Sequence, residues 1–201
     1  MTNELDSPRR QPKGDKRDRT RAKLLEAARS LIREKGYEHA TLEAIAERAG
    51  MTTGAIYGNF KNRDELFLAL GQTYWPPIKP DVRPGATFPE IMRALADATL
   101  AAIPGRSEVG VGRLTGLAYA LTHEEFRAKV TEFTARSYEF GEHWLCSVTR
   151  EEDLPMPAGQ LVRVIHSLME GLVFQRLLTP ELMPDEIFRA AFAALGKRAK
   201  D

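Results

Sequence analysis

Few residues in this chain are equipped for covalent chemistry. The single cysteine, Cys146, follows His143 by three residues, which places a thiol and a base on one helical face. A nucleophile of that kind also needs a group to orient the base and donors for an oxyanion, and the sequence offers neither. One cysteine makes no internal disulfide, and four scattered histidines without paired Cys/His spacing give no metal framework. We therefore expect no enzyme, no metal and no cofactor.

What the sequence does offer is hydrogen-bonding surface. In GMTTGAIYGNFKNRDELF, residues 50–67, Ile56 and Phe60 lie one helical turn apart and would turn inward. Thr53, Gly54, Ala55, Tyr57, Gly58, Asn59 and Lys61 are then left facing out, a small, polar surface almost without acids. A helix that met only water would favour Glu and Lys there, since each interior glycine costs about 1 kcal/mol relative to alanine. Glycines make sense where another backbone comes close, and the sugar-phosphate wall of a DNA major groove is such a surface.

The elements that would hold this stretch are short helices with clear limits. From Arg21, Leu24, Leu25, Ala28, Leu31 and Ile32 recur with helical spacing, and Gly36 follows as a C-cap. Thr41 is an N-cap for a second helix that ends at Gly50, Thr52 caps a third, and Asn62 caps a fourth with Glu65 three residues later. Only Gly50 and Met51 separate helices two and three, which therefore leave one another at a steep angle, as in a helix-turn-helix.

Composition is that of an ordinary globular chain: of 201 residues, 43% are hydrophobic and 28% charged, with a formal net charge of +1. A fibrous or wholly disordered protein is excluded, and so is a uniformly basic coat for unspecific nucleic-acid binding. Positive charge is concentrated at the start, where residues up to Arg21 include seven basic side chains against four acids. Residues 1–19 read as a basic, disordered arm, solvated or phosphate-seeking. No run approaches the roughly 18 apolar residues of a membrane span, and the first residues lack a signal-peptide core, so a cytoplasmic location is expected.

A first domain is expected over residues 20–70, and within it Arg21 to Leu70, above all Gly36 with ATLEAIAERAGMTTGAIYGNFKNRDELF, resemble the DNA-binding domain of TetR/AcrR-type transcriptional regulators. The resemblance implies an all-α fold: an N-terminal helix-turn-helix domain, then a larger regulatory and dimerisation domain. It implies phosphate contacts at Thr41, Thr52, Tyr57, Lys61 and Arg63, and base reading by Thr53, Gly54, Ala55 and Asn59. Tyr57 can alternatively brace the fourth helix, and Asn59 can be a plain surface residue. Many members carry a large residue where this chain has Gly58, so readout there would lean on DNA shape.

A Pro-rich junction is expected over residues 71–87 and a second domain over 88–201, with helices near Phe88–Ile103, Glu108–Leu121, His123–Arg150, Ala158–Leu178 and Asp185–Lys200. By resemblance this domain encloses an effector and pairs two protomers. Leu161, Ile165, Leu168 and Leu172, with Ile187, Phe188, Ala191 and Phe192, form apolar bands broad enough for a homodimer face, or for an internal core alone. Pocket candidates are Tyr119, His123, Phe133, Tyr138, Trp144, His166, Met169 and Glu170. Glu170 lies in the apolar stretch LMEGLVF and would either pair with an arginine such as Arg176 or face a cationic effector. The expected function is a homodimeric repressor on a palindromic DNA operator, released by a small molecule; a regulator or activator of the same build without an effector is the alternative.

Overall fold

Threonine and glycine set the limits of the first four helices. Helix α1 (Lys13–Lys35) ends at Gly36, whose φ of 81° is a left-handed cap. Thr41 caps α2 (Leu42–Arg48) by accepting from the Ala44 amide at 3.1 Å. Gly50, at φ 64°, reverses the chain so that the Met51 amide reaches back to the Ala46 carbonyl at 2.9 Å, a Schellman closure that a side chain with a Cβ would strain. Thr52 then caps α3 (Thr53–Tyr57) through the Ala55 amide. Asn62 caps α4 (Arg63–Tyr74) through the Glu65 amide at 2.9 Å, while the Glu65 carboxylate accepts from the Lys61 amide at 2.7 Å.

The computed structural model describes residues 13–196, with side chains from Lys16 onward. All regular elements among the described residues are helical, and the fold is all-α. It divides into two compact units, one ending at Leu70 and the other beginning at Gly71. In the first, Leu24, Ala28, Ile45, Ile56, Phe60 and Leu66 are buried, with α2 packed on α1 and α3 packed on α2.

Two limits differ from expectation. Helix α1 begins at Lys13, about two turns ahead of Arg21; residues 16–19 are exposed, so no apolar periodicity marks this stretch in the sequence. The rest of the expected arm, residues 1–12, lies outside the described residues. Helix α4 continues through Gly71 to Tyr74, and the chain turns irregular only at Trp75 and the prolines after it.

The second unit contains α5 (Phe88–Ser107), α6 (Gly110–Thr122), α7 (Glu124–Val148), α8 (Ala158–Leu178) and α9 (Asp185–Leu195). Residues 197–200, expected to extend the last helix, lie outside the described residues. Helix α5 passes Pro104 and ends at Ser107, a turn beyond the expected Ile103, since a proline in the last turn sacrifices a single ladder bond. Helices α7 and α8 approach so closely that a Cβ on Gly141 would stand 2.8 Å from Val162. No described helix is long and apolar enough to cross a membrane.

The apolar bands of α8 and α9 are spent inside this unit. Leu161, Ile165, Leu172, Phe188 and Phe192 are buried in its core with Ile91, Met92, Leu95 and Leu145, so these five do not form an outward dimer face. Leu168 and Ala191 are half-buried at the core's edge, and Ile187 is 42% exposed. The bands are broad because α8 packs on α5 and α7 while α9 packs on α5. Outward on α8 stand Val164, Ser167, Gly171 and Leu178, and on α9 Ile187, Ala190 and Ala194.

One polar tie holds α2 to α1: the Arg48 guanidinium donates to both Glu34 oxygens at 2.8 Å and to Ser30 at 3.0 Å. The Arg48 hydrogen bonds, with help from Ser30, hold the Glu34 carboxyl down to about 2 from 4.5. A carboxyl depressed on folding stabilises above its unfolded value and loses that contribution as pH falls through the folded one. Thermal unfolding between about pH 4.5 and 2 is therefore expected to show a smaller acid loss for Glu34→Gln than for the unaltered chain; because the pair is exposed, the difference is modest.

Candidate nucleic-acid interface

Helix α3 is five residues long and buries only Ile56, while Phe60 follows it into the core. Its other residues are left at the surface: Thr52, Thr53, Gly54, Tyr57 and Gly58 are exposed. A Cβ on Gly54 would meet only the Thr52 hydroxyl, at 3.8 Å, so the unit's own packing does not demand glycine there. Thr41 and Thr52 use their oxygens as caps, but a capping hydroxyl accepts the amide and keeps its own proton to donate. Both hydroxyls sit at helix starts, where backbone amides favour anions.

Tyr57 is 51% exposed and donates its hydroxyl to Glu43 at 3.0 Å. Glu43 is held below the usual carboxylate range by its own backbone amide and then by Tyr57, which in turn is shifted upward by the hydrogen bond to Glu43. This acid, from the first turn of α2, stands beside the surface that otherwise lacks acids. The tyrosine hydroxyl therefore bonds to α2 rather than to the fourth helix.

Two expected contacts point inward. The Asn59 amide donates to the Ala55 carbonyl at 2.8 Å, and its carbonyl oxygen is buried without a partner. Its backbone carbonyl accepts from Arg21 at 3.1 Å, with the Arg21 guanidinium 4.3 Å above the Phe60 ring. Closing the C-terminal end of a short helix thus takes precedence over presenting an amide to a base. Arg63 donates to the Tyr37 carbonyl and lies 4.7 Å over Phe67, itself packed on Tyr37 at 4.0 Å. Its guanidinium braces the loop after α1 instead of standing at the surface. Lys61 is exposed.

The structure adds Lys16 and Arg17, expected in an arm, and Thr20. These residues of α1 line a groove with Gly54, Ala55, Gly58 and Asn59 of the α3 segment. Their signal was the basic run itself, which carries no information on what it lies beside until α1 is known to start at Lys13.

In the second unit the expected pocket residues fall into separate groups. His123, the N-cap of α7, stacks on Tyr119 at 3.6 Å, and Tyr119 meets Phe126 edge-on. Tyr138 meets His166 edge-on at 5.4 Å, under the Arg163 guanidinium. Phe133, Trp144 and Met169 are half-buried, the last two against the core. Glu170 pairs not with Arg176 but with Arg106 and Arg113, at 3.5 and 3.2 Å, and accepts from the Trp75 indole at 2.6 Å. Residues six apart on one helix face different ways, and Arg176 serves Asp185 instead. Trp75, Arg106 and Arg113 were missed; their only mark was a tryptophan before two prolines and isolated arginines in apolar helices. No group of His, Cys, Asp and Glu among the described residues could hold a metal ion.

Residues 24–70 match the family described as bacterial regulatory proteins, tetR family. The chain is 34% identical over 119 residues to the HTH-type transcriptional repressor AcnR of Corynebacterium efficiens, a match that spans 59% of this chain and 60% of that one. Over 51 residues it is 49% identical to the HTH-type transcriptional regulator TtgR of Pseudomonas putida, covering 25% and 24% of the two chains. Its fold is similar to that of NalD, the secondary repressor of the MexAB-OprM multidrug efflux pump in Pseudomonas aeruginosa, with a TM-score of 0.58, 24% identity and coverage of 90% and 96%. These relatives are regulators rather than enzymes. The tetR-family match thus falls within α1 to α4, a second helical unit follows it in the chain, and the chain spans about three fifths of the length of the AcnR repressor it matches.

Proposed function

We propose that this chain is a cytoplasmic, homodimeric repressor that binds a palindromic operator and leaves it when a small molecule occupies the second unit. The observation that carries the DNA-binding part is the exposed, glycine-bearing α3 beside the basic first turns of α1. Thr41, Thr52, Tyr57, Lys61, Lys16 and Arg17 hold phosphates, while Thr53, Gly54 and Ala55 approach base edges. Effector binding lowers operator affinity through a coupling of about 1–3 kcal/mol. Binding of the purified chain to DNA from upstream of its own gene, with random DNA as competitor, tests the reading; equal affinity for both DNAs would count against a specific operator there.

Phosphate contacts are insensitive to sequence. Replacing Lys16 and Arg17 by alanine is expected to weaken binding to specific and random DNA alike and to flatten the salt dependence by about one unit of slope per lost contact. Glu43→Gln removes an anion from the same surface and is expected to act in the opposite direction. Fluorescence anisotropy over a salt series measures both, and a loss confined to one base position would contradict the assignment.

Asn59, turned onto Ala55, supports α3 rather than reading a base. Asn59→Ala is therefore expected to lower thermal stability while leaving the ratio of specific to random DNA affinity unchanged. A ratio that drops by about tenfold, the usual size of a lost base contact, would return Asn59 to base reading.

The dimer reading now rests on the outward faces of α8 and α9. Gly171 is exposed, and a Cβ there would meet nothing within 4 Å. Gly171→Glu should thus be harmless to one protomer yet place a charge between two. We expect monomers by light scattering with unchanged helical content; an intact dimer would move the interface elsewhere.

A further inference from the structure

The most unusual chemistry in the second unit surrounds Trp75. Glu170, on α8, accepts from the indole nitrogen at 2.6 Å and pairs with Arg106 of α5 and Arg113 of α6. All three charged side chains are withdrawn from water, with 17%, 7% and 25% of their surfaces exposed for Glu170, Arg106 and Arg113. The guanidinium groups lie 4.3 and 5.7 Å from the Trp75 ring, and Phe174 stacks on that ring at 5.4 Å.

Charge does not balance here. One carboxylate answers two guanidinium groups, and among the described residues neither arginine pairs with a second carboxylate. Arg106 spends a further donor on the Pro76 carbonyl at 3.0 Å, whereas the Arg113 Nε is buried with no acceptor. His166, one turn before Glu170, adds no negative charge: burial favours its neutral form, against the pull of Glu170. A surplus cation and a buried donor without a partner are both costly, and one bound anion relieves both.

We infer that the second unit binds a small organic anion, a carboxylate on an apolar body, with Arg113 as its charge partner and His166 as a hydrogen-bonding neighbour. The stacked aromatic faces of Trp75 and Phe174 supply apolar surroundings that a bare inorganic ion would not use. Glu170 considered alone suggests a cationic ligand; with its two arginines the cluster repels one. This assignment names the effector class and rests on the reading of the second unit as an effector domain.

The test uses the full chain and its tryptophan fluorescence, titrated with sodium benzoate and sodium octanoate and, separately, with the matching primary amides and amines. The carboxylates are expected to bind at least about tenfold more tightly than the neutral or cationic counterparts. Arg113→Gln is expected to abolish that preference. Glu170→Gln, whose amide oxygen still accepts from the Trp75 indole while the positive surplus grows, is expected to strengthen carboxylate binding, and it keeps the proposal falsifiable should Arg113→Gln fail to fold. Amides or amines that bind as well as the acids, carboxylate binding unchanged in Arg113→Gln, or no carboxylate response in the millimolar range would each overturn the proposal. Release from DNA is scored separately. Carboxylate binding that leaves DNA affinity unaltered keeps the anion site and removes the effector reading, whereas release by neutral or cationic compounds alone keeps the effector reading and removes the anion site.

Discussion

A helix of five residues has no stability of its own, since nucleation alone outweighs the few hydrogen bonds it can close. Helix α3 exists because Ile56 and Phe60 are buried, with the helix packed on α2 and Arg21 of α1 over the Phe60 ring, and because Thr52 and the Asn59 side chain close its two ends. Everything at the candidate nucleic-acid surface depends on that anchoring. With two apolar side chains holding the helix, its remaining positions are released from any duty to the core, and they can be as small as Gly54 and Gly58. The same economy explains why Arg21 and Arg63, both basic and near the surface, are committed to carbonyls and aromatic rings inside the unit.

The second unit follows a different principle. Its core is large and apolar, and α8 and α9 are consumed in building it. The polar exception, Glu170 with Trp75, Arg106 and Arg113, draws on three helices and the irregular chain before them. Buried ion pairs contribute little net stability when compared with apolar packing of the same volume. Their presence in an otherwise apolar unit therefore points toward recognition more than toward folding.

Local signals in the sequence were legible where physics is local. Thr41, Thr52 and Asn62 as caps, Gly36 and Gly50 as left-handed turns, and the inward pair Ile56 and Phe60 follow from spacing and side-chain type alone. Legibility failed where a second element decides the outcome. Apolar bands on α8 and α9 announce burial without saying whether the covering surface belongs to the same chain. Asn59 and Arg63 look like donors for a ligand until Ala55 and Tyr37 offer nearer carbonyls. Glu170 was visibly out of place, but its partners come from more than fifty residues away, and no periodicity carries that information. The exposed residues 16–19 of α1 left no pattern because nothing apolar is required of them.

The arrangement around Glu170 also constrains how this chain can change over generations. A lineage that loses Arg113 first discards surplus charge and leaves Glu170 paired with Arg106. One that loses Glu170 first strands two cations and an indole donor at once, a step that several later substitutions would have to repair. Substitutions at 106, 113 and 170 are thus epistatic, and their order matters: the arginine is the open door and the carboxylate the locked one.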